Sequence, residues 1–524
     1  MILLLVALPV IMPVMELLQT PAAWHIWSEG NRLADLAQQT ITIALTSSLL
    51  AVITGFITAV LLVRTQLKWR RGWSILIALA LVVPLPMLLS GWYLVLQTLG
   101  APLPALWPIE TRWAGTVLLH ALFGLPWVIV ILSLGLAWVE PALEEEMLLY
   151  APMRRVLMHV VLPRCWPFIG MALLVASWPT WHEISVTDYF KISTLAEEVY
   201  LQLTAGGMDE TSRALAAIFP WCIVMVLITM AWMHRWQQII PHQWPSLSRQ
   251  HRLPLHGWQI AAQVWMLLIL VLLLGVPLWG LVQRVGMVYS DTPHWSWIAG
   301  WNRLWHILTV QHALVSHSLA VALGTGLLTT LSAMLLLWLT RSSMIFHRGV
   351  WWLMAILWAM PGPLLGLGLL SLIQLLIQLP GGSWLSPWLY SAPSPVPNIW
   401  VCTLRFLPLA WLALWPIARQ IPQYLEEAAW LEGASPWQRF QLHFWPRLWK
   451  PGLAIMLGTA LLALGEISAS KLVTTPGYLP LSHHVFQQLH AGADTEVAAL
   501  SLVLLMPGFA VLAGLLLLWK SPGR

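Results

Sequence analysis

Charged residues are scarce in this chain: only 9% of its 524 residues are Asp, Glu, Lys or Arg, whereas 59% are hydrophobic. The mean hydropathy is +0.75, and there are 37 tryptophans. A soluble core cannot absorb that much apolar surface, so the composition excludes a soluble protein. Uncharged apolar runs of about 20 residues, such as 262–282 and 497–519, indicate membrane-spanning helices. These runs are continuous rather than alternating, which favours helices over a β-barrel.

The sequence also lacks the patterns of disulfide, metal and phosphate-binding sites. Its three cysteines are far apart and form no C-x-x-C pair. None of the 17 histidines has the i, i+4 spacing of a zinc motif with a third ligand, and we interpret them as packing or interfacial residues. The dipeptide Gly-Lys never occurs, so there is no G-x-x-x-x-G-K-[ST] loop. We therefore expect no metal and no cofactor in this chain, and any use of ATP needs a separate subunit.

Apolar segments punctuated by polar loops predict an all-α integral membrane protein with about twelve transmembrane helices. The first segment, MILLLVALPVIMPVMELL, lacks the positive n-region of a cleaved signal peptide, and we interpret it as a short first membrane helix. The predicted spans are 2–18, 40–63, 73–97, 113–138, 166–187, 214–233, 258–282, 311–340, 350–379, 398–418, 451–471 and 497–519.

The distribution of basic residues sets the orientation of these spans. With a cytoplasmic N-terminus, 18 of the 26 Lys and Arg residues fall on the cytoplasmic side and 7 on the other side, while Arg405 lies within a span. This bias follows the positive-inside rule. The same rule accounts for the formal charge of +5, so we expect a lipid bilayer and no nucleic acid as partner.

The chain contains an internal repeat, which is the signature of duplicated architecture. The segment 123–163 resembles 405–446, with Glu144 and Glu145 lying 282 residues before Glu426 and Glu427. We therefore predict two homologous six-helix halves, 1–240 and 257–524, joined by a polar cytoplasmic linker at 241–256.

Each copy of the repeat carries a polar stretch between apolar spans, at 140–165 and at 421–448. In the second copy, LEEAAWLE favours a helix that Gly433 ends in a left-handed conformation. Ser435 then caps a second helix through an S-x-x-Q capping box, with Pro436 at its first position. We expect the second helix to stop near Pro446, which gives two short helices at the membrane surface. A single such loop is typical of an ordinary amphipathic surface loop, but two matching copies favour a function.

This hairpin resembles the EAA loop of permeases from type I binding-protein-dependent ABC importers, through Glu427-Ala428-Ala429, Gly433 and Pro446. The first copy is degenerate, with Glu145-Glu146-Met147 and with Ala151 in place of glycine. The segments that begin at Glu183 and Glu466, together with the fusion of two halves, resemble the iron(III) and thiamine permease branch.

The resemblance implies a MetI-like permease fold in a bacterial inner membrane and no catalytic residue in this chain. Two copies of an ATP-binding cassette subunit would dock on the hairpins, and a periplasmic binding protein would deliver the substrate, with iron(III) or thiamine as expectations. The implied ATPase-coupling residues are Glu144, Glu145, Ala151, Pro152, Pro163, Glu426, Glu427, Ala428, Ala429, Gly433, Ser435, Pro436 and Pro446.

Three ionisable residues lie within predicted spans, where they are costly and often functional. Glu183 and Glu466 could line a translocation pathway and meet a cationic substrate, or they could reach the outer interface and pair locally, Glu466 with Lys471. Arg405 could pair with Glu466 or contact the substrate.

Two other classes of function remain open at this point. A secondary transporter driven by an ion gradient would not need the hairpins. A polytopic membrane enzyme would cluster polar residues within its spans, and the sequence shows only scattered ones.

Overall fold

A computed structural model describes residues 2–81, 83–98, 109–205, 208–239, 252–290, 292–341 and 343–519. It is 85% helical. Eight of the described helices are long and apolar enough to cross a membrane, and the number rises to eleven if each of three bent helix pairs is one span. The chain is therefore an all-α, multi-pass membrane protein. Most of the predicted linker 241–256, namely residues 241–251, lies outside the described residues.

The helices of residues 1–240 surround a three-helix core. Helices α2, α5 and α8 pack on one another and bury small and aliphatic side chains such as Ala51, Val128 and Ala172. The helices are α1 (Ile2–Gln19), α2 (Gly30–Arg64), α3 (Arg70–Ala80), α4 (Leu85–Thr98), α5 (Ile109–Ala137), α6 (Pro141–Leu148), α7 (Met153–Val156), α8 (Leu162–His182), α9 (Ser185–Phe190), α10 (Leu195–Ala205) and α11 (Met208–Ile239).

The remaining residues repeat this arrangement, with α15, α18 and α21 packed on one another. A two-stranded antiparallel hairpin, β1 (Met287–Val288) with β2 (His294–Trp295), precedes α14. The helices are α12 (Gln259–Leu270), α13 (Val276–Val285), α14 (Trp297–Thr309), α15 (His312–Leu339), α16 (Met344–Ala359), α17 (Gly362–Gln378), α18 (Val396–Arg419), α19 (Gln423–Leu431), α20 (Pro436–Arg439), α21 (Trp445–Leu464), α22 (Ser470–Val473), α23 (Leu481–His490) and α24 (Asp494–Trp519).

The prediction of continuous third and ninth spans is wrong. The third is broken between α3 and α4 with a bend of 99°, and the ninth between α16 and α17 with a bend of 113°. Pro84 and Pro86 lie at the first break, and Pro361 and Pro363 at the second. Proline has no N–H for the helical ladder, and it disfavours helical geometry in the residue before it. These prolines therefore explain why each apolar run forms two helices.

The described residues contain eight to eleven candidate spans, fewer than the twelve that the sequence predicts. The first eleven predicted segments coincide with the eight straight candidates and the three bent pairs, the first of which joins 4–19 to 21–28 at 80°. Helix α24 coincides with the twelfth segment and is not among these candidates.

The first span of each predicted half packs on the other half. Helix α1 packs on α17, and α13 packs on α4. Each crossing sets a glycine against a proline: a Cβ at Gly368 would overlap the carbonyl oxygen of Pro9, and one at Gly91 would lie 2.6 Å from the Cα of Pro277. Only glycine allows backbones to approach this closely. The two predicted halves are therefore interlocked.

Candidate functional site

The second polar stretch forms the hairpin that the sequence predicts. Helix α19 ends before Gly433, which has φ of +84°. The capping box is present, because Ser435 N–H donates to Gln438 Oε1 at 2.7 Å and Gln438 N–H donates to Ser435 Oγ at 3.3 Å. The left-handed turn and the cap of the second helix are confirmed.

The prediction that the second helix stops near Pro446 is wrong. Residues 436–464 form one 29-residue helical segment, which passes through a π turn at Phe440–Phe444 and continues as α21. The N–H of Trp445 donates to the carbonyl of Phe440, one residue further back than in an α-helix. A π turn widens the helix and accommodates Pro446, which cannot donate to the ladder. The hairpin is therefore joined rigidly to a membrane span.

The first hairpin repeats this design without a glycine. Helix α6 closes with the N–H of Ala151 donating to the carbonyl of Met147 at 2.9 Å, and Pro152 then caps α7 in an extended conformation. A π turn at Leu157–Val161 again precedes the proline, Pro163, at the second position of α8. Both hairpins thus lead into their spans through the same local structure.

An arginine anchors each hairpin to the neighbouring helix end. Arg64 Nη1 lies 2.6 Å from Glu144 Oε1, and Arg64 also donates to the carbonyl of Leu136 at the end of α5. Both side chains of this pair are at most 1% exposed. Because charge-assisted hydrogen bonds are strong when buried, this anchor fixes the first hairpin.

The second anchor matches the first but is partly hydrated. Arg341 Nη2 lies 2.7 Å from Glu426 Oε1, with the two side chains 16% and 15% exposed. Arg341 Nη1 donates to the carbonyl of Ala418 at 3.1 Å, the position that corresponds to Leu136 in the repeat. Burial lowers the pKa of the Arg341 guanidinium, and the carboxylate of Glu426 opposes that shift. Glu144 and Glu426 therefore face their own chain, whereas Glu145 and Glu427 are exposed.

Both hairpins present apolar side chains on a polar background. Leu149 and its counterpart Leu431 are each 78% exposed. Ala428 is exposed and Ala429 half-buried beside them. The other large apolar residues exposed on the two hairpins include Tyr150, Met158, Tyr424, Trp430, Trp437 and Leu442. Exposed apolar side chains rimmed by polar residues mark sites of contact with another protein or with the membrane.

Glu183 and Glu466 follow the ends of helices instead of lying inside them, so their placement within helical spans is wrong. Helix α8 ends at His182, and α21 ends at Leu464. Each carboxylate bonds the backbone that follows: Glu183 Oε1 accepts from the N–H of Ser185 at 3.1 Å, and Glu466 Oε1 accepts from the N–H of Ala469 at 2.7 Å. Both glutamates thus bond the backbone that follows their helix, Glu183 two residues further on and Glu466 three residues further on.

Arg405 of α18 joins this cluster from the second half. Its Nε lies 2.8 Å from Glu466 Oε2, its Nη1 donates to Ser468 Oγ at 2.7 Å, and its Cζ lies 4.8 Å from the ring centre of Trp178. The predicted pair with Glu466 is present. Lys471, the other predicted partner of Glu466, instead donates to the hydroxyl of Tyr200 and lies over the ring of Phe486.

The cluster borders a cavity of about 50 Å³, enough for one or two water molecules. Both predicted halves line it, and the lining residues include Pro84, Phe123, Trp178, Glu183, Arg405, Phe406, Leu461 and Glu466. Non-helical backbone at membrane depth is tolerated only where protein or a cavity covers it.

Four chain breaks meet around this cavity. Pro84, from the α3/α4 break, lies against Gly465, where a Cβ would be 2.6 Å from it. Gly362, from the α16/α17 break, lies against Arg405 and Ser468 so closely that a Cβ would overlap both side chains. The ends of α8 and α21 supply Glu183 and Glu466. Discontinuous helices of this kind surround binding sites in transporters.

Sequence reasoning missed several residues of these sites, namely Arg64, Arg341, Trp178, Gly362 and Ser468. Arg64 ends α2 and Arg341 follows α15, which are the second spans of the two predicted halves. This repeated position of an arginine is the signal by which the sequence indicates the two anchors. The contacts of Trp178, Gly362 and Ser468 depend on tertiary packing and leave no pattern in the sequence.

Within the described ranges, no group of three or more His, Cys, Asp or Glu side chains is placed to hold a metal ion. Comparison with protein-family models gives no match. Comparison with curated proteins gives none of significant similarity.

Proposed function

We propose that the chain is the permease subunit of an ABC importer of type I, with two homologous halves of a MetI-like fold. One observation carries the proposal: two hairpins at corresponding positions of the repeat share the same anchor, the same π turn and the same exposed leucine. In this reading each hairpin docks on a separate ATP-binding subunit at the cytoplasmic face of a bacterial inner membrane.

The anchors give the proposed coupling a physical route. Each arginine ties the first helix of its hairpin to the ends of two core helices, through Glu144 and Leu136 or through Glu426 and Ala418. The second helix of each hairpin continues into a core span, α8 or α21. A push on either hairpin therefore moves all three core helices of that half, which is how a rigid element transmits force.

The proposed path for the substrate leads through the cavity between the halves, past Glu183, Glu466 and Arg405. A periplasmic binding protein would supply the substrate, and hydrolysis would occur in the ATP-binding partner. The interlocked crossings of α1 on α17 and of α13 on α4 suit two halves that must turn against each other without separating.

Co-purification with ATP-binding subunits encoded near this chain, followed by ATP hydrolysis in liposomes, tests the proposal. We expect Gly433→Ala to weaken ATPase binding, because φ of +84° costs a residue with a Cβ about 1–2 kcal/mol. Gly492→Ala is the matched control, since it has φ of +73° and open space around it but lies outside the hairpins. Equal effects of the two substitutions would contradict docking at the hairpin.

Charge reversal at Glu427 tests the same surface without backbone strain. Glu427→Arg should lower ATPase stimulation, and the neutral Glu427→Gln should lower it less, because Glu427 is exposed beside Ala428. If no ATPase co-purifies and Glu427→Arg leaves transport intact, the chain is not an ABC permease. Transport that follows an ion gradient without ATP would instead identify a secondary transporter.

A further inference from the structure

The cluster of Glu183, Glu466 and Arg405 at the cavity has two carboxylates and one guanidinium. Glu183 and Glu466 occupy corresponding positions of the repeat, and both are more than 90% buried. Arg405 pairs with Glu466, but its counterpart in the first half is Phe123, which also lines the cavity. With both glutamates ionised beside Arg405, the three side chains of this cluster sum to one negative charge. Buried charge is costly unless it is paired, so the cluster favours an additional cation.

The surroundings of Arg405 show what kind of cation fits. Its guanidinium lies against the carboxylate of Glu466 and over the indole of Trp178, at 4.8 Å from Cζ to the ring centre. A carboxylate and an aromatic face together recognise organic cations with spread charge. Calcium and magnesium ions take six or more oxygen ligands, and only two acidic side chains line the cavity.

An anionic ligand fits the cluster less well. The guanidinium of Arg405 already contacts Glu466, Ser468 and Trp178. Glu183 lies within electrostatic reach of both Arg405 and Glu466, so an ionised Glu183 adds negative charge to the same space. An anion entering here would meet two carboxylates.

We propose that Glu183, Glu466 and Trp178 form a binding site for a cationic organic group of the transported substrate, and that Arg405 fills this site as a tethered cation. The proposal rests on the permease function for its transport role. In the conformation described, the cavity of about 50 Å³ has no room for a substrate. A cationic substrate reaches the carboxylates only when Arg405 moves away, so the arginine closes the path when no substrate is present.

Removing the tethered cation should expose the site to a free one. In Arg405→Ala, purified in lipid nanodiscs without any ATPase, methylguanidinium chloride should raise the apparent unfolding temperature in a saturable manner. Sodium chloride at the same ionic strength should not. The wild-type chain should show no such rise, and neither should Arg32→Ala, whose exposed arginine pairs with Glu198.

The carboxylates supply the specificity of the test. Adding Glu466→Gln or Glu183→Gln to Arg405→Ala should weaken methylguanidinium binding at least about tenfold, because hydrogen bonds to charged groups are the strong ones. The proposal is overturned if methylguanidinium does not raise the unfolding temperature of Arg405→Ala. It is also overturned if the rise is unchanged in both double variants. If Arg405→Ala yields little folded protein, the yield is measured with methylguanidinium present during membrane extraction. Recovery supports the site, and no recovery counts against it.

This result is independent of the ATPase experiments. A chain that stimulates an ATPase but binds no methylguanidinium keeps its permease function and loses the cation site. A chain that binds methylguanidinium through both carboxylates but docks no ATPase keeps the cation site and loses the ABC assignment.

Discussion

The guanidinium of Arg64 lies 2.6 Å from the carboxylate of Glu144, and neither side chain is more than 1% exposed. Removing one partner of such a pair leaves an unpaired buried charge, which costs about 3–5 kcal/mol. We therefore expect Arg64→Ala to lower the apparent unfolding temperature strongly in detergent or nanodiscs. Arg341→Ala should lower it less, because water reaches the Arg341–Glu426 pair.

Arg32→Ala provides the reference for a pair with a hydrated arginine, since the Arg32 side chain is 55% exposed and the Glu198 side chain 12% exposed. Its expected cost is about 1 kcal/mol or less. Equal losses for Arg64→Ala and Arg32→Ala would show that burial does not strengthen the first anchor.

The crossing of α1 over α17 predicts a large effect from a single methyl group. In Gly368→Ala the new Cβ would overlap the carbonyl oxygen of Pro9, so the helices must separate. Overpacking of this kind costs about 1–3 kcal/mol. The matched substitution is Gly458→Ala in α21, where nothing lies within 4 Å of the new Cβ. That change should stabilise the helix by up to about 1 kcal/mol, and opposite shifts in unfolding temperature are the expected result.

Local chemistry determined what could be predicted from the sequence. The apolar runs indicated the membrane helices, and S-x-x-Q after Gly433 predicted the hairpin turn and its cap, because both depend on residues within one turn of each other. The pairing of Arg405 with Glu466 was also within reach, since an arginine inside a membrane span needs a carboxylate.

The predictions were wrong where the path of the chain depends on bends, on π turns or on packing between distant segments. Hydropathy predicts a single span for each apolar run around Pro84 and Pro361, because it carries no information on the bends of 99° and 113°. Pro446 read as a helix end, although a π turn lets the helix continue past it. The cavity forms where four breaks between helices come together, and no local sequence pattern predicts which breaks lie next to one another in the fold.

Glu197 predicts a dependence of stability on pH. Burial, together with the negative charge of Asp188, raises its pKa from 4.5 to about 7, against the opposing charge of Lys191. Between these two values the unfolded chain is ionised while the folded chain holds the proton, so the contribution of Glu197 to stability falls as pH rises. Above pH 7 the full penalty applies.

Glu197→Gln removes this titration. Its unfolding temperature should exceed that of the wild type at about pH 8 and match it near the ordinary carboxyl pKa of about 4. Glu427→Gln, which removes an exposed carboxylate of the second hairpin, serves as the control. A Glu197→Gln advantage that stays constant across this range would show that its cause is not ionisation.

The exposed leucines of the hairpins should differ in their importance for an ATP-binding partner. Leu431 adjoins the Ala428-Ala429 patch and the Gly433 turn, whereas Leu149 adjoins a hairpin with neither, and both are 78% exposed. Interfaces concentrate their binding energy in a few central residues, each worth about 2 kcal/mol or more. We therefore expect Leu431→Ala to weaken ATPase binding more than tenfold and Leu149→Ala to weaken it less.

Neither substitution should change the unfolding temperature of the isolated chain, because each removes an exposed side chain. Binding measured by titration of the purified ATPase onto nanodiscs separates the two hairpins, and a larger loss for Leu149→Ala would reverse their order.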